Sequence, residues 1–215
     1  MMELLQKLLH LIRDPGPLIE WAGYPGLFLI IFLETGALIF FLPGDSLLVT
    51  AGLYAAKGDL NIWLLNVLLI PAAIIGDAVS YQIGKRGGAA LFNKPDSRLF
   101  KPEYLQRAHE FYERHGGKAI IIARFMPLVR TFVPVVAGAA KMPYRRFATY
   151  NIVGGAAWIL SMSFTGYVLG SIIPNIDKHI EKVIILVVLV SLSPGIWEFA
   201  KAKLAARRAG RAPSA

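Results

Sequence analysis

The chain has 215 residues, enough for one domain, and its composition decides the class: 55% of residues are hydrophobic and 17% charged, where soluble domains average about 25% charged. A mean hydropathy of +0.53 excludes a soluble globular domain. The net charge of +9 is gathered in polar gaps between long apolar runs, as in membrane proteins whose cytoplasmic loops collect Lys and Arg, and the absence of cysteine excludes a disulfide framework, thiol redox chemistry and Cys-ligated metal.

A transmembrane helix needs about 20 apolar residues to cross about 30 Å of hydrocarbon. Met2 to Ile12 is too short to span, and Leu4, Leu5, Leu8, Leu9 and Ile12 share one face, so residues 1–16 read as an interfacial amphipathic helix. Met1 to Arg13 lacks a long apolar core ending in a cleavage site, and no removable signal peptide is expected. The stretch from Tyr24 to Ala56 is too long for one span and is interrupted by Glu34, Gly36 and Pro43-Gly44-Asp45. Two readings fit it: Leu18 to Leu33 crosses before a re-entrant segment, or Tyr24 to Ala56 is one long hairpin.

Leu60 to Gly84 is predicted to span. Lys85 to Lys118 is polar, with eight Lys/Arg against four Asp/Glu, and contains an amphipathic helix around Glu103 to His115. Ala119 to Ala140 is apolar but holds Arg124, Pro127, Arg130 and Pro134. Phe147 to Gly170 spans, as does the shorter Val183 to Phe199, within a membrane domain of residues 17–200. A basic tail, 201–215, follows without an acid.

Charge sets the topology. The tail is cytoplasmic by its Lys and Arg content, and tracing backwards places both flanks of Ala119 to Ala140 on the cytoplasmic face. That segment is expected to enter and leave from one side, with Pro127 and Pro134 as its breaks. Irregular backbone at such depth is tolerated only against protein or a water-filled cavity, so the hairpin should line one.

A repeat emerges when the breaks are aligned. Phe41-Leu42-Pro43, Ala51-Gly52 and Tyr81-x-x-Gly84 recur about 85 residues later as Phe125-Met126-Pro127, Ala137-Gly138 and Tyr167-x-x-Gly170. Repeat one covers about 24–84 and repeat two about 103–170. The spanning helices of the two run in opposite directions, so the expected fold is an all-α membrane protein of inverted topology with two re-entrant hairpins, broken at Pro43-Gly44 and at Pro127 and Pro134. Broken helices meeting near the midplane are the architecture of secondary transporters.

Five ionisable residues lie in apolar surroundings: Glu34, Asp45, Asp77, Arg124 and Arg130. Each costs at least about 2.5–3.5 kcal/mol at a helix centre, so they need partners. Glu34 and Asp45 belong to the first hairpin and Arg124 and Arg130 to the second, as opposed hairpins would need to neutralise each other. Such pairs are either structural or functional. In the functional reading Glu34 exchanges a proton, and Asp45 is either a second proton site or the N-cap of Ser46 to Tyr54. Arginine binds phosphate through a planar fork that stays charged, which suits Arg124 and Arg130 to a phosphate in a membrane cavity.

Asp77 is expected near the interface in a structural role, with Tyr81 and Tyr167 as accessory positions. Gly166-x-x-x-Gly170 and Ser161-x-x-x-Thr165 should serve helix packing, and Trp21, Trp63 and Trp197 interfacial anchoring. His10, His109, His115 and His179 lack metal-site spacing, and no P-loop occurs. No metal, cofactor or nucleic-acid partner is expected.

Four segments together resemble the DedA family, also called the VTT or SNARE-associated-type family, of bacterial inner-membrane proteins. They are Phe32-Leu33-Glu34-Thr35-Gly36 with Phe41-Leu42-Pro43-Gly44-Asp45-Ser46; Gly76-Asp77-x-x-x-Tyr81-x-x-Gly84-Lys85; Arg124-Phe125-Met126-Pro127-x-x-Arg130-Thr131-x-x-Pro134-x-x-Ala137-Gly138; and Gly166-Tyr167-x-x-Gly170. The resemblance implies a transporter of undecaprenyl phosphate or another phospholipid, dependent on the proton motive force. It also implies that Glu34, Asp45, Arg124 and Arg130 match the family's essential acidic and arginine positions. Rival readings are a proton-coupled antiporter for small cations or drugs, a lipid-phosphate hydrolase, which needs a nucleophile and base that no buried His supports, and a scaffold without transport.

Overall fold

The computed structural model describes residues 16–37, 44–92 and 117–173. The expectations for the N-terminal amphipathic helix, the polar helix 103–115, the span 183–199, the basic tail, the four histidines, Trp197 and Pro43 lie outside the described residues. Among the described residues the fold is all helical: α1 Gly16–Gly36, α2 Gly44–Lys57, α3 Ile62–Phe92, α4 Lys118–Ala123, α5 Pro127–Ala139 and α6 Tyr144–Ile172.

Length sorts these helices into two kinds. Ile62–Gly87 of α3 and Tyr144–Ile172 are long and apolar enough to cross a membrane. The others fall short. Helix α1 is broken at Gly23, whose φ of 52° and ψ of −149° suit only glycine, and Pro25 follows with no N–H to give. The arm from Tyr24 to Gly36 is then about 20 Å long, as are α2, with 14 residues, and α5, with 13. Neither reading of residues 18–56 anticipated a kink at Gly23.

Local chemistry sets the ends. The Asn61 side chain accepts from Trp63 N–H and Leu64 N–H at 2.9 and 3.1 Å, which caps α3. This helix continues past Gly84 to Phe92 because Lys85, Arg86, Ala89, Ala90 and Leu91 are helix formers, and charge does not stop a helix that leaves the hydrocarbon. Met126 is extended, as a residue before proline prefers, and Pro127 opens α5. Pro134 does not break the hairpin: it lies inside α5. The cost is confined to one missing N–H, the partner of the Arg130 carbonyl.

Glycine lets the short helices lie against the long ones. An added Cβ at Gly52 of α2 would run into the Ser163 carbonyl of α6, and one at Gly138 of α5 into the Tyr81 carbonyl of α3. Gly166 against Val49 and Gly84 against Val135 return the same close approach from the long helices. Ser161 and Thr165 instead bond within α6. One core joins Leu27, Ile31, Leu47, Leu48, Leu65, Leu69, Trp158 and Ile159; a smaller one joins Tyr81, Ile120, Ala137, Met142 and Phe147. Outward positions are apolar too: Trp63, Val67, Ile75, Val79 and Ile83 on α3, and Ile152, Val153, Leu160, Val168 and Ile172 on α6. This is the surface a lipid solvent requires.

The two broken segments attach to α3 at its start and one turn past its middle. Asn61 N–H donates to Tyr24 Oη at 2.7 Å, which ties the start of the α1 arm to the chain just after α2. Tyr81, about 29 Å further along α3, donates its hydroxyl to the Met142 carbonyl just after α5. Gly117, just before α4, packs on the Tyr150 ring of α6. The start of the α4–α5 segment and its end thus both lie near the first turns of α6.

Candidate functional site

The end of α1 and the start of α2 meet the end of α4 and the start of α5 beside Asp77, at the middle of α3, and Trp158, at the middle of α6. All five charged residues singled out by composition lie here, none more than 9% exposed.

Glu34 is in the last turn of α1, where helix carbonyls lack partners. Ser80 of α3 supplies one, donating to the Thr35 and Gly36 carbonyls at 2.6 and 3.1 Å, while Gly36 and Gly76 meet backbone to backbone. So anchored, Glu34 Oε1 accepts from Arg130 Nη2. Its other oxygen lies where a Cβ on Gly44 would be, beside the first turn of α2 and the positive end of that helix dipole. Asp45 lies in that turn. Its Oδ1 accepts from Arg130 Nη1 and from Trp158 Nε1–H, the latter at 2.9 Å. Asp45 thus bonds across the site to an arginine and an indole, and the capping alternative gives way to this role.

Arg130 is the centre of the arrangement. Each terminal nitrogen serves one carboxylate, and the guanidinium stands 4.4 Å from the centre of the Trp158 ring, within the range of a cation–π contact. Arg124, at the end of α4, forms a second cluster: its Nη2 donates to Asp77 Oδ2 and Asn151 Oδ1. Asn151 in turn donates to the Ile74 carbonyl at 3.0 Å, tying α6 to α3. The Arg124 side chain lies on Gly154 and Gly155, where an added Cβ would come within 3.2 Å of it. The interfacial placement expected for Asp77 is therefore corrected. It is 4% exposed, at the centre of the protein, because Arg124 reaches it from the opposing segment.

Between the clusters is a cavity of about 10 Å³, lined by Thr35, Asp77, Arg124, Arg130, Thr131 and Trp158, room for about one water molecule. Both arginines border it. Glu34 Oε2, Arg124 Nε and Arg130 Nε are buried without a hydrogen-bond partner among the described residues. Among the described residues three carboxylates face two guanidiniums, so these five groups, when ionised, carry one negative charge in excess.

Tyr81 and Tyr167 lie away from this centre. Tyr81 stacks on Phe147 at 4.6 Å between ring centres and holds the turn after α5, while Tyr167 packs on Phe164. Gly44 makes room for Glu34. Sequence reading missed Trp158, Asn151 and Ser80, which carry no charge to mark them in an apolar run, and it placed Thr35 and Thr131 in the family segments without giving them a role. Among the described residues no group of three potential metal ligands occurs.

The VTT domain model matches residues 42–168. The chain is 45% identical to Protein DedA of Escherichia coli (strain K12), the alignment covering 97% of each chain. It is 45% identical to an uncharacterized membrane protein of Mycobacterium leprae over 81% of this chain and 78% of that one. Identity to the inner membrane protein YqjA of Escherichia coli is 38%, over 79% and 80%. No solved structure matches.

Proposed function

The chain belongs to the DedA family of VTT-domain membrane proteins, and from that premise we propose that it moves a phosphorylated lipid head group across the bilayer in a step linked to proton binding. One observation carries the reading: Arg130 and Arg124 both border a small cavity midway along both long helices while carboxylates occupy the donors of Arg130. A phosphate offers the same planar pair of acceptors as two carboxylate oxygens. The cavity is too small for phosphate beside those carboxylates, so the head group takes their place. Glu34 and Asp45 then accept protons, since a buried carboxylate without its partner is costly as an anion. The substrate class is a polyisoprenyl phosphate such as undecaprenyl phosphate, or a phospholipid.

The architecture supports transport. Arms of about 20 Å do not cross about 30 Å of hydrocarbon, and each broken segment starts and ends near one end of a long helix. We read them as two re-entrant hairpins of an inverted repeat. Asp45 corresponds to Arg130 and Val49 to Val135 at an offset of 85 or 86 residues, and the Gly52–Ser163 contact of α2 on α6 has its counterpart in the Gly138–Tyr81 contact of α5 on α3. Lys85, Arg86, Lys118, Lys141, Arg145 and Arg146 are exposed, and on their charge we read the end that carries them as the cytoplasmic one.

The test is translocation by the purified protein in proteoliposomes. A fluorescent polyisoprenyl phosphate should cross faster than in protein-free vesicles, and Arg130→Ala should abolish the gain. Translocation of neutral lipid at the same rate, or transport of a small cation with no lipid movement, contradicts the reading; the latter favours the antiporter.

A further inference from the structure

We propose that Trp158 is the positioning residue of the site, the surface that keeps Arg130 at the cavity when its carboxylates let go. The inference rests on the reading of the site as an anion site. Its basis is one fully buried side chain with two simultaneous roles. The ring lies 4.4 Å from the Arg130 guanidinium, and the indole N–H donates to the same Asp45 oxygen that accepts from Arg130. Trp158 therefore touches both members of an ion pair and also lines the cavity.

These contacts respond differently to exchange. The bonds from Arg130 to Glu34 and Asp45 end when an anion replaces the carboxylates. The attraction of the guanidinium to the ring face does not depend on either carboxylate, and it is strongest where water is excluded and the ring is tryptophan. The other charged or polar groups around the cavity that Arg130 borders are Glu34 and Thr35 from α1, Asp45 from α2, Asp77 from α3, Arg124 before α5, Thr131 from α5 and Asn151 from α6. The charged groups among them each bond to an opposite charge, and Asn151 bonds to Arg124 and a backbone carbonyl. The ring is an aromatic contact that survives the exchange.

The test uses the full chain in lipid nanodiscs with geranylgeranyl phosphate as probe. Trp158→Phe keeps a ring and loses the N–H; Trp158→Leu and Trp158→Met lose both, and the better folded of the two is used. The ring-free variant should bind the probe about tenfold more weakly, the size of a desolvated cation–π contact, while Trp158→Phe should retain most of the affinity. Unchanged affinity in the ring-free variant, or equal losses in all variants, overturns the proposal. A second arm needs no ligand: the drop in melting temperature caused by removing the ring is measured with Arg130 present and in an Arg130→Gln background. A larger drop with Arg130 present supports the role, and equal drops overturn it. If wild-type protein ignores the probe, the anion-site reading fails, and this second arm still decides the role of Trp158.

Discussion

Arg130 of α5 bonds to Glu34 of α1 across 96 residues of sequence, and Asp45 holds the other terminal nitrogen of the same guanidinium. Two carboxylates on one arginine leave the site with one acid more than it needs for neutrality. Removing an acid therefore has unequal consequences in the two clusters.

Asp77 is the sole carboxylate on Arg124 among the described residues. Asp77→Asn leaves a buried guanidinium without a counter-charge, a loss of about 3–5 kcal/mol. The double variant Asp77→Leu with Arg124→Met should recover most of it, because an apolar pair of similar volume replaces a buried ion pair at little cost. Unfolding in detergent should show the single variant well below wild type and the double variant close to it.

Arg130→Lys should fail as Arg130→Ala does. An ammonium is a point charge without the fork that spans Glu34 and Asp45, and it cannot lie flat on the Trp158 ring. Lipid translocation in proteoliposomes is the measurement, with size-exclusion profiles to show that both variants fold. Full activity in the Lys variant would mean that the site needs positive charge alone.

The charged half of this site was legible in the sequence, because a Glu, Asp or Arg within an apolar run must find a partner. Glu34, Asp45, Arg124 and Arg130 stood out on that ground, and opposed segments of opposite charge implied their pairing. Asp77 was misplaced since its distance from Lys85 and Arg86 along the helix says nothing about an arginine arriving from elsewhere. Trp158 could not be found: in a lipid-solvated chain an aromatic in an apolar run looks the same whether it faces lipid or carries a guanidinium. Pro134 was read as a break although one missing hydrogen bond is tolerated within a packed helix, and the kink at Gly23 depends on a φ that composition does not reveal.

Helix contact through glycine should be sensitive to one methyl group. In Gly138→Ala the new Cβ meets the Tyr81 carbonyl, and α5 must move off α3 at a cost of about 1–3 kcal/mol. The melting temperature should fall, and fall further in Gly138→Val.

Topology can be read by labelling. The chain has no cysteine, so single cysteines at the exposed positions Lys118, Lys141 and Asp59 report without background. An impermeant reagent should label the first two from the cytoplasmic side and Asp59→Cys from the other. Labelling of Lys118→Cys and Lys141→Cys from opposite sides would remove the re-entrant hairpin.

The central claim, proton-linked movement of a lipid phosphate at Arg130, meets its most direct test in Glu34→Gln. Asp45 remains on Arg130 and Asp77 on Arg124, so two carboxylates still face two guanidiniums and the protein should fold and bind. Polyisoprenyl phosphate translocation is measured in proteoliposomes with and without a pH gradient. The account predicts that the gradient accelerates the wild type and drives the Glu34→Gln protein less, because Asp45 is then the one proton-accepting acid left on Arg130; a variant driven by the gradient as strongly as wild type would contradict it.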